Sequence, residues 1–165
     1  MHLLIDLGAP PRLQRHAELV GEAADDLLIG FRRLGVALDE PFVRVGVTLH
    51  DVGKVMCRDE LEGSGALHEP AGERLLLERG ISAELVRVCR SHAHWRDPTN
   101  TLEELVIALA DKLWKGARVT DLEEMIVDRI SGAVACDRWV LSTQCDNLFE
   151  EVASNADSRL CRSAV

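Results

Sequence analysis

The feature that most constrains the fold of this chain is an apolar helical segment that contains a single carboxylate. Residues 105–114 read Leu-Val-Ile-Ala-Leu-Ala-Asp-Lys-Leu-Trp, and Thr101-Leu-Glu-Glu104 before them matches the capping box with which many helices begin. A helix that is apolar on all sides is expected inside a core. A buried carboxylate without a partner is costly, so Asp111 must be paired or neutralised. Lys112 or Arg118 could pair with it between helices, and a metal ion is the alternative.

Helical periodicity recurs along most of the chain, and no alternating strand pattern of useful length interrupts it. Helices are predicted over 12–34, from Pro41, from His68, from Ser82, from Thr101, from Thr120 and over 134–152. The helix from Thr120 is expected to begin with a second capping box. Residues 55–67 lack a period and are interpreted as a loop. We therefore expect an all-α, single-domain helical bundle of about six to seven helices over residues 1–165, with C-terminal helices at about 120–156.

Composition and charge narrow the choice of partners. The chain is 47% hydrophobic and 28% charged, with a formal net charge of -9 and a pI of about 5.1. Because surfaces that bind nucleic-acid phosphates are usually basic, nucleic acid is not expected as the main partner. A small phosphorylated substrate is compatible with this charge, since a few local cations and a metal ion can hold it.

The cysteines and the lack of sorting signals favour a reduced, cytoplasmic setting. Five cysteines are scattered along the chain without a Cys-x-x-Cys pair, which indicates neither a zinc ribbon nor a redox motif. The apolar run after Met1 is too short for a signal peptide. No segment approaches the roughly eighteen apolar residues of a membrane span, so no membrane partner is expected. Association into a homodimer is left open.

Adjacent His50 and Asp51 follow an apolar helical run that begins near Pro41. A carboxylate at the C-terminal end of a helix is misplaced by a few tenths of a kcal/mol to about 1 kcal/mol unless a cation lies there. A metal ion is the cation that also explains the neighbouring histidine. The pair therefore suggests a metal site, although such dipeptides also arise by chance.

Other histidines fall on apolar helical faces in the same way. His16 lies on the apolar stripe of the first long helix, and His68 opens a later one. In Ser91-His-Ala-His94 the two histidines cannot face the same way on a helix. His92 continues the apolar stripe, so we select it as the inward residue, and His94 is interpreted as a rim residue or substrate contact.

The order of these residues resembles the HD superfamily of metal-dependent phosphohydrolases. That family has a His, an adjacent His-Asp pair and a later Asp on a helical bundle, and some branches add two histidines between them. Leu49-His-Asp-Val-Gly-Lys54, Leu67-His-Glu-Pro-Ala-Gly-Glu73 and Leu109-Ala-Asp-Lys112 carry the likeness, which covers about residues 12–119. The resemblance implies an HD-domain fold with its metal-binding core in this range.

The resemblance also implies a ligand set for two divalent metal ions. One ion would be held by His16, His50, Asp51 and Asp111. Asp51 would bridge to a second ion, bound by His68 and His92. Carboxylates with imidazoles suit Fe, Mn, Co or Zn, with Mg also open, and the spacing does not choose among them.

Four further residues are candidates for substrate binding or catalysis beside the metal ions. Lys54 would meet substrate phosphate or pair with a carboxylate, or it is an ordinary surface lysine. Lys115 and Arg118 share a helical face with Asp111 if the helix continues through Gly116, and would then cradle phosphate; otherwise they are cations at a solvated helix end. Glu69 would orient a ligand or shuttle a proton, or it serves only the helix dipole.

The function implied by the resemblance is hydrolysis of a phosphate ester or anhydride of a small metabolite, such as a nucleotide, by a metal-activated hydroxide. Asp51, Lys54 and Glu69 would be the catalytic residues. One alternative is a di-iron oxygenase on the same scaffold, which the lack of tyrosine mildly disfavours. Another is a non-catalytic module that senses nucleotides, against which the intact ligand set argues.

Overall fold

A computed structural model describes residues 1–61, 63, 65–134 and 136–163. All regular structure in these residues is helical, which confirms the all-α prediction. Their α-helices are α1 (His2–Asp6), α2 (Pro11–Arg33), α3 (Glu40–Leu49), α4 (His68–Glu78), α5 (Ala83–Val86), α6 (Val88–Ser91), α7 (Leu102–Leu113), α8 (Thr120–Ser131), α9 (Arg138–Ser154) and α10 (Ala156–Ser163). Two 3-10 helices, Val52–Val55 and Arg58–Leu61, lie between α3 and α4. None of the helices in the described ranges combines the length and apolar character needed to cross a bilayer.

Helices α2, α3 and α7 form the centre of the fold and pack against one another. The α2 helix buries apolar side chains at intervals of three and four residues from Leu13 to Phe31. Residues 105–110 of α7 have no exposed surface, as their apolar sequence predicts. The buried side chains form one cluster that extends from Leu4 to Ala153. Polar groups in this centre must therefore find partners inside the protein.

The chain on either side of the His-Asp pair makes two close contacts: α3, before the pair, meets α7, and the first 3-10 helix, after the pair, meets α4. A Cβ on Gly46 of α3 would lie 2.3 Å from Cδ1 of Ile107 in α7, so these helices meet more closely than a larger residue allows. A Cβ on Gly53, in the first 3-10 helix, would lie 1.9 Å from the carbonyl oxygen of His68 and 2.6 Å from the amide nitrogen of Gly72. Gly53 therefore lets the chain after the His-Asp pair rest directly on the first turn of α4.

Some local predictions are wrong between α3 and α7. The predicted loop at 55–67 contains the end of the first 3-10 helix and the whole of the second, and its residues 62 and 64 lie outside the described residues. Ser82 caps the next helix by accepting a hydrogen bond from the N–H of Leu85, but that helix divides at Arg87 into α5 and α6. The apolar residues of this segment follow a helical period across Arg87, so the sequence did not indicate that the helix divides there.

The capping box predicted at the start of α8 is also wrong. Thr120 is the first residue of the helix, and its hydroxyl makes no capping hydrogen bond. The carboxylate of Glu123 accepts a hydrogen bond from the N–H of Val119 at 3.0 Å and also binds Arg118. The N–H of Glu123, from which the Thr120 hydroxyl was expected to accept a hydrogen bond, instead donates to the carbonyl of Val119 at 3.0 Å.

Helical structure at the C-terminal end continues past residue 156. The predicted helix 134–152 corresponds to α9, and residue 135 of that range lies outside the described residues. The α10 helix was not predicted, because it is mostly polar and has no apolar stripe of useful length. Ion pairs hold it against α2: Arg159 lies 2.7 Å from Asp26, and Arg162 binds both carboxylate oxygens of Glu22 at 2.7 and 2.6 Å.

Candidate metal centre

Side chains from five parts of the chain converge where α2, α3, α4, α6 and α7 meet. His16 comes from the first half of α2, and His50 and Asp51 directly follow α3. His68 is the first residue of α4, and His92 directly follows α6. The structure therefore brings together the six predicted ligands: His16, His50, Asp51, His68, His92 and Asp111. All but His16 are buried, and His16 is partly buried.

Asp51 lies at the centre of this cluster and faces a different pair of histidines with each oxygen. Its Oδ2 atom is 3.2 Å from Nε2 of His16 and 3.8 Å from Nε2 of His50. Its Oδ1 atom is 3.2 Å from Nε2 of His68 and 3.6 Å from Nε2 of His92. The cluster thus consists of two groups that could each hold a metal ion and that share Asp51.

Asp111 closes the first of these groups. Its Oδ1 atom lies 3.6 Å from Nε2 of both His16 and His50, and its Oδ2 atom accepts a hydrogen bond from Lys112 at 2.8 Å. The carboxylate that the sequence placed on an apolar helix therefore has both kinds of partner: a lysine, as in the ion-pair alternative, and the histidine cluster. The rings of Trp114 and His16 pack in a T-shaped arrangement, with centroids 5.2 Å apart.

Hydrogen bonds on the far side of the rings fix which nitrogens face the centre. Nδ1 of His50 donates to the carbonyl of Val47 at 2.8 Å, and Nδ1 of His92 donates to the carbonyl of Val88 at 2.9 Å. Because a carbonyl only accepts, each Nδ1 carries the proton and the neutral ring directs the lone pair of Nε2 inward.

Nε2 of His68 is the clearest sign that a cation belongs in this centre. It is fully buried without a hydrogen-bond partner, beside an Asp51 oxygen that can only accept. The Nε2 lone pairs of His50 and His92 likewise face carboxylate oxygens, at 3.6–3.8 Å. Donor atoms of this kind match those of divalent metal sites built from His and Asp, so the residues present fit the group.

The electrostatics of the cluster favour ionised carboxylates. Burial alone would raise the pKa of Asp51, but His50, His16 and His68 outweigh it and hold this pKa well below its usual value. Asp111 shows the same balance: burial is outweighed by His50, and its pKa is also lowered. Both carboxylates are therefore ready to bind a cation across the ordinary pH range.

The histidines divide in their affinity for protons. Burial and the neighbouring charge of His50 lower the pKa of His92 to about 4, so its imidazole is neutral and able to bind a metal. Burial opposes protonation of His50, but Asp51 and Asp111 raise its pKa above the usual value. His50 is therefore protonated in a larger fraction of molecules than His92, and a metal ion must displace that proton before it can bind the ring.

A cavity of about 300 Å³ opens onto the cluster. Three cations border it: Arg12 at the start of α2, Lys54 in the first 3-10 helix and Lys115 after α7. Lys54 also donates to Oδ2 of Asp51 at 2.6 Å. Leu13, Leu61 and Trp114 supply the apolar part of the wall, and Ser163 reaches it from α10. In a chain with a net charge of -9, this is a local concentration of positive charge beside two buried carboxylates.

Arg118 does not share this cavity with Lys115. Gly116 adopts a φ of +78°, which ends the helix and turns the chain away, so the common face predicted for the two cations is not formed. Arg118 instead binds Glu123 at 2.8 Å, Asp146 at 2.6 Å and Glu150 at 2.7 Å.

His94 and Glu69 also lie apart from the cavity and contact each other. Nε2 of His94 is 2.9 Å from Oε2 of Glu69, which is buried. The ring of His94 is 67% exposed and borders a separate groove. Neither residue is among those that line the cavity over the cluster. The side chains of His94 and Glu69 are therefore hydrogen-bonded to each other, whereas the sequence indicated two independent candidates.

Sequence reasoning missed three residues of this region. Arg12 precedes His16 by one helical turn, and this spacing could have revealed it. Glu60, whose carboxylate contacts His68, lies in the segment interpreted as a loop. Ser163 comes from the unpredicted α10 helix, and nothing in the local sequence indicates its position.

Comparison with known proteins gives one family. The family model described as the HD domain matches residues 13–130. Among individual proteins, ribonuclease Y of Thermotoga maritima is 34% identical over 103 residues, which are 61% of this chain and 19% of that protein. The chain thus spans about a fifth of the ribonuclease Y sequences it matches. An uncharacterised protein of Methanocaldococcus jannaschii is 26% identical over 126 residues, 67% of this chain and 71% of that protein.

Solved structures give the same fold. The HD domain of the L. monocytogenes phosphodiesterase PgpH superposes with a TM-score of 0.56 at 15% identity, covering 93% of this chain and 99% of that one. Its complex with cyclic-di-AMP superposes with a TM-score of 0.53 at 16% identity, covering 90% and 94%. At this level of identity the likeness concerns the fold.

Proposed function

Because this chain belongs to the HD domain family, we propose that it is a metal-dependent phosphohydrolase that cleaves a phosphate ester or anhydride of a small nucleotide. The observation that supports this most directly is that the two carboxylate oxygens of Asp51 each face a different pair of histidines. One divalent ion would be held by His16, His50, Asp111 and Asp51, and a second by Asp51, His68 and His92. The chemistry supplied by two such ions is polarisation of the phosphoryl group and a lowered pKa of the attacking water.

The chain's own residues have two tasks in this reaction. Lys54 donates to one oxygen of Asp51 and borders the cavity, so its ammonium would both orient the carboxylate that the two ions would share and attract the substrate anion. Lys115 and Arg12 border the same cavity and offer charge-assisted hydrogen bonds to phosphate oxygens. The three cations counter the acidity of the whole chain at the one place where an anion must approach.

The size and lining of the cavity support a small substrate. At about 300 Å³ it lies at the lower end of the range for small-molecule sites. Leu13 and Trp114 provide apolar surface against which a base can rest, beside the cations that would hold phosphate. Relatives named as a phosphodiesterase and a ribonuclease support a phosphorylated nucleotide as the substrate class.

A phosphate-release screen under anaerobic conditions tests this function. Purified protein loaded separately with Mn, Co, Fe or Zn would be offered nucleoside monophosphates, nucleoside triphosphates and cyclic dinucleotides. We expect release of inorganic phosphate or of a nucleotide product without oxygen. Asp51→Ala should abolish this release, and His2→Ala should retain it, because His2 is exposed and belongs neither to the cluster nor to the cavity lining. Oxygen consumption without phosphorus–oxygen cleavage would contradict the proposal and support an oxygenase.

A further inference from the structure

Glu60 is a buried carboxylate whose two oxygens are both occupied at the start of α4. Its residue surface is 9% exposed. Oε1 accepts a hydrogen bond from the N–H of Leu67 at 3.0 Å. Oε2 accepts one from the N–H of His68 at 3.0 Å and lies 2.5 Å from Nδ1 of the same histidine. One side chain thus contacts both the backbone and the ring of a cluster residue.

The surrounding chain is arranged to admit this carboxylate. The α4 helix begins without a side-chain cap of its own, so Glu60 supplies the acceptor from eight residues upstream. A Cβ on Gly65 would lie 2.3 Å from both Cδ and Oε1 of Glu60, so the glycine leaves the space that the carboxylate fills. The neighbouring Asp59, in contrast, is exposed.

The position of His68 explains why it needs such a partner. Nδ1 of His50 and of His92 each donate to a backbone carbonyl three or four residues upstream in the same helical segment. His68 is the first residue of its helix, so no preceding turn offers a carbonyl in that place. The carboxylate of Glu60 takes the role that Val47 and Val88 play for the other two rings.

The consequence for the ring follows from hydrogen-bond chemistry. An ionised carboxylate only accepts, so the proton of the neutral imidazole lies on Nδ1. Nε2 then carries a lone pair, and it is the buried atom without a hydrogen-bond partner, 3.2 Å from Oδ1 of Asp51. If the proton moved to Nε2, that atom would donate to Asp51 and could no longer bind a metal.

We propose that Glu60 is a positioning residue of the metal centre: it fixes the Nδ1–H form and the orientation of His68 and thereby presents Nε2 to the ion shared with His92. This inference rests on the proposed two-metal function. Groups that orient metal-binding histidines in this way typically change metal affinity about 10–100-fold when removed. Loss of Glu60 should therefore weaken the second ion more than the first.

The protonated nitrogen of His68 can be read directly by NMR on protein labelled with ¹⁵N-histidine. Metal-free protein at alkaline pH, where the ring is neutral, should show Nδ1–H in the wild type and a shift toward Nε2–H in Glu60→Ala. Glu60→Gln keeps an oxygen that can accept from Nδ1, so its His68 should stay in the Nδ1–H form. Asp59→Ala removes an adjacent exposed carboxylate and should behave as the wild type.

Zinc titration completes the test. Glu60→Ala should lose about 10–100-fold in affinity at one of two sites, and Asp59→Ala should lose nothing. An Nε2–H ring in the wild type would overturn the proposal even if Glu60→Ala does not fold, and so would a folded Glu60→Ala with unchanged tautomer and zinc affinity. Because the tautomer is read without metal or substrate, missing phosphate release would count against the function and not against the role of Glu60.

Discussion

At the scale of single residues, one carboxylate organises the centre. Asp51 has both oxygens engaged by histidines and one of them also by Lys54. Asp111 repeats the arrangement with Lys112. The lysines therefore compensate part of the carboxylate charge in this acidic region, and metal ions would compensate the rest.

Lys115 and Arg118 give a prediction that separates binding from stability. Lys115→Ala should reduce kcat/KM for a phosphorylated substrate about 10–100-fold, since a hydrogen bond to a charged group contributes about 1.5–3 kcal/mol, while Tm stays unchanged. Arg118→Ala should leave KM unchanged and lower Tm, because it leaves the buried carboxylate of Glu123 without its cationic partner. Steady-state kinetics and thermal unfolding of both variants decide this. Wild-type kinetics in Lys115→Ala would remove it from the binding site.

The same two residues show how far sequence reasoning reaches at this scale. The six cluster residues were identified because His and Asp side chains interrupted apolar helical faces and occurred in a recognisable order. Arg118 was misplaced because its face depended on a helix that Gly116 ends with a φ of +78°. Glu60 was missed because its proposed role depends on a contact across eight residues that no helical period predicts.

At the scale of elements, the contact between the first 3-10 helix and α4 brings the two halves of the centre together. Gly53→Ala should destabilise the protein by about 1–3 kcal/mol and weaken metal binding, because the added Cβ meets the carbonyl oxygen of His68 at 1.9 Å. Gly21→Ala is the matched control: its Cβ meets nothing within 4 Å in the middle of α2, and it should be neutral or stabilising. Denaturant unfolding and metal content report both effects. Equal stability of the two variants would contradict the close contact.

The α10 helix gives a prediction about pH. The hydrogen bond from Arg162 lowers the pKa of Glu22 below its usual value, against a smaller opposing effect of burial. A carboxylate with a lowered folded-state pKa stabilises the protein above its unfolded pKa of about 4.5, and this contribution disappears as the pH falls through the folded value. The wild type should therefore have a higher Tm than Glu22→Gln at neutral pH, and this difference in Tm should decrease as the pH falls. A difference in Tm that stays constant with pH would argue against this ion pair.

Sequence reasoning at the element scale succeeded where apolar periodicity was strong. The bounds of α2, α3 and α7 follow from their stripes and start signals. The α10 helix escaped because ion pairs with Glu22 and Asp26, formed across more than a hundred residues, hold it in place. The splitting of α5 from α6 is equally invisible in the local sequence.

At the scale of the whole molecule, the centre links segments that are distant along the chain. Ligands from residues 16 to 111 would be tied together by bound ions, so metal should stabilise the entire bundle. A ligand that binds only the folded state at a hundredfold excess over Kd contributes about 2.7 kcal/mol, which is about 5–11 °C in Tm for a chain of this size. Melting before and after chelation, with metal removal verified, measures this shift. An unchanged Tm would exclude a site that spans these helices.

The metal content of His92→Ala tests the central claim of two ions bridged by Asp51 most directly. Of the carboxylate oxygens in the cluster, only Oδ1 of Asp51 lies within ion-pair distance of Nε2 of His92. The wild type should bind about two ions per chain, His92→Ala about one with turnover nearly abolished, and the exposed control His2→Ala about two with full turnover. Two ions per chain and full activity in His92→Ala would contradict the dinuclear centre.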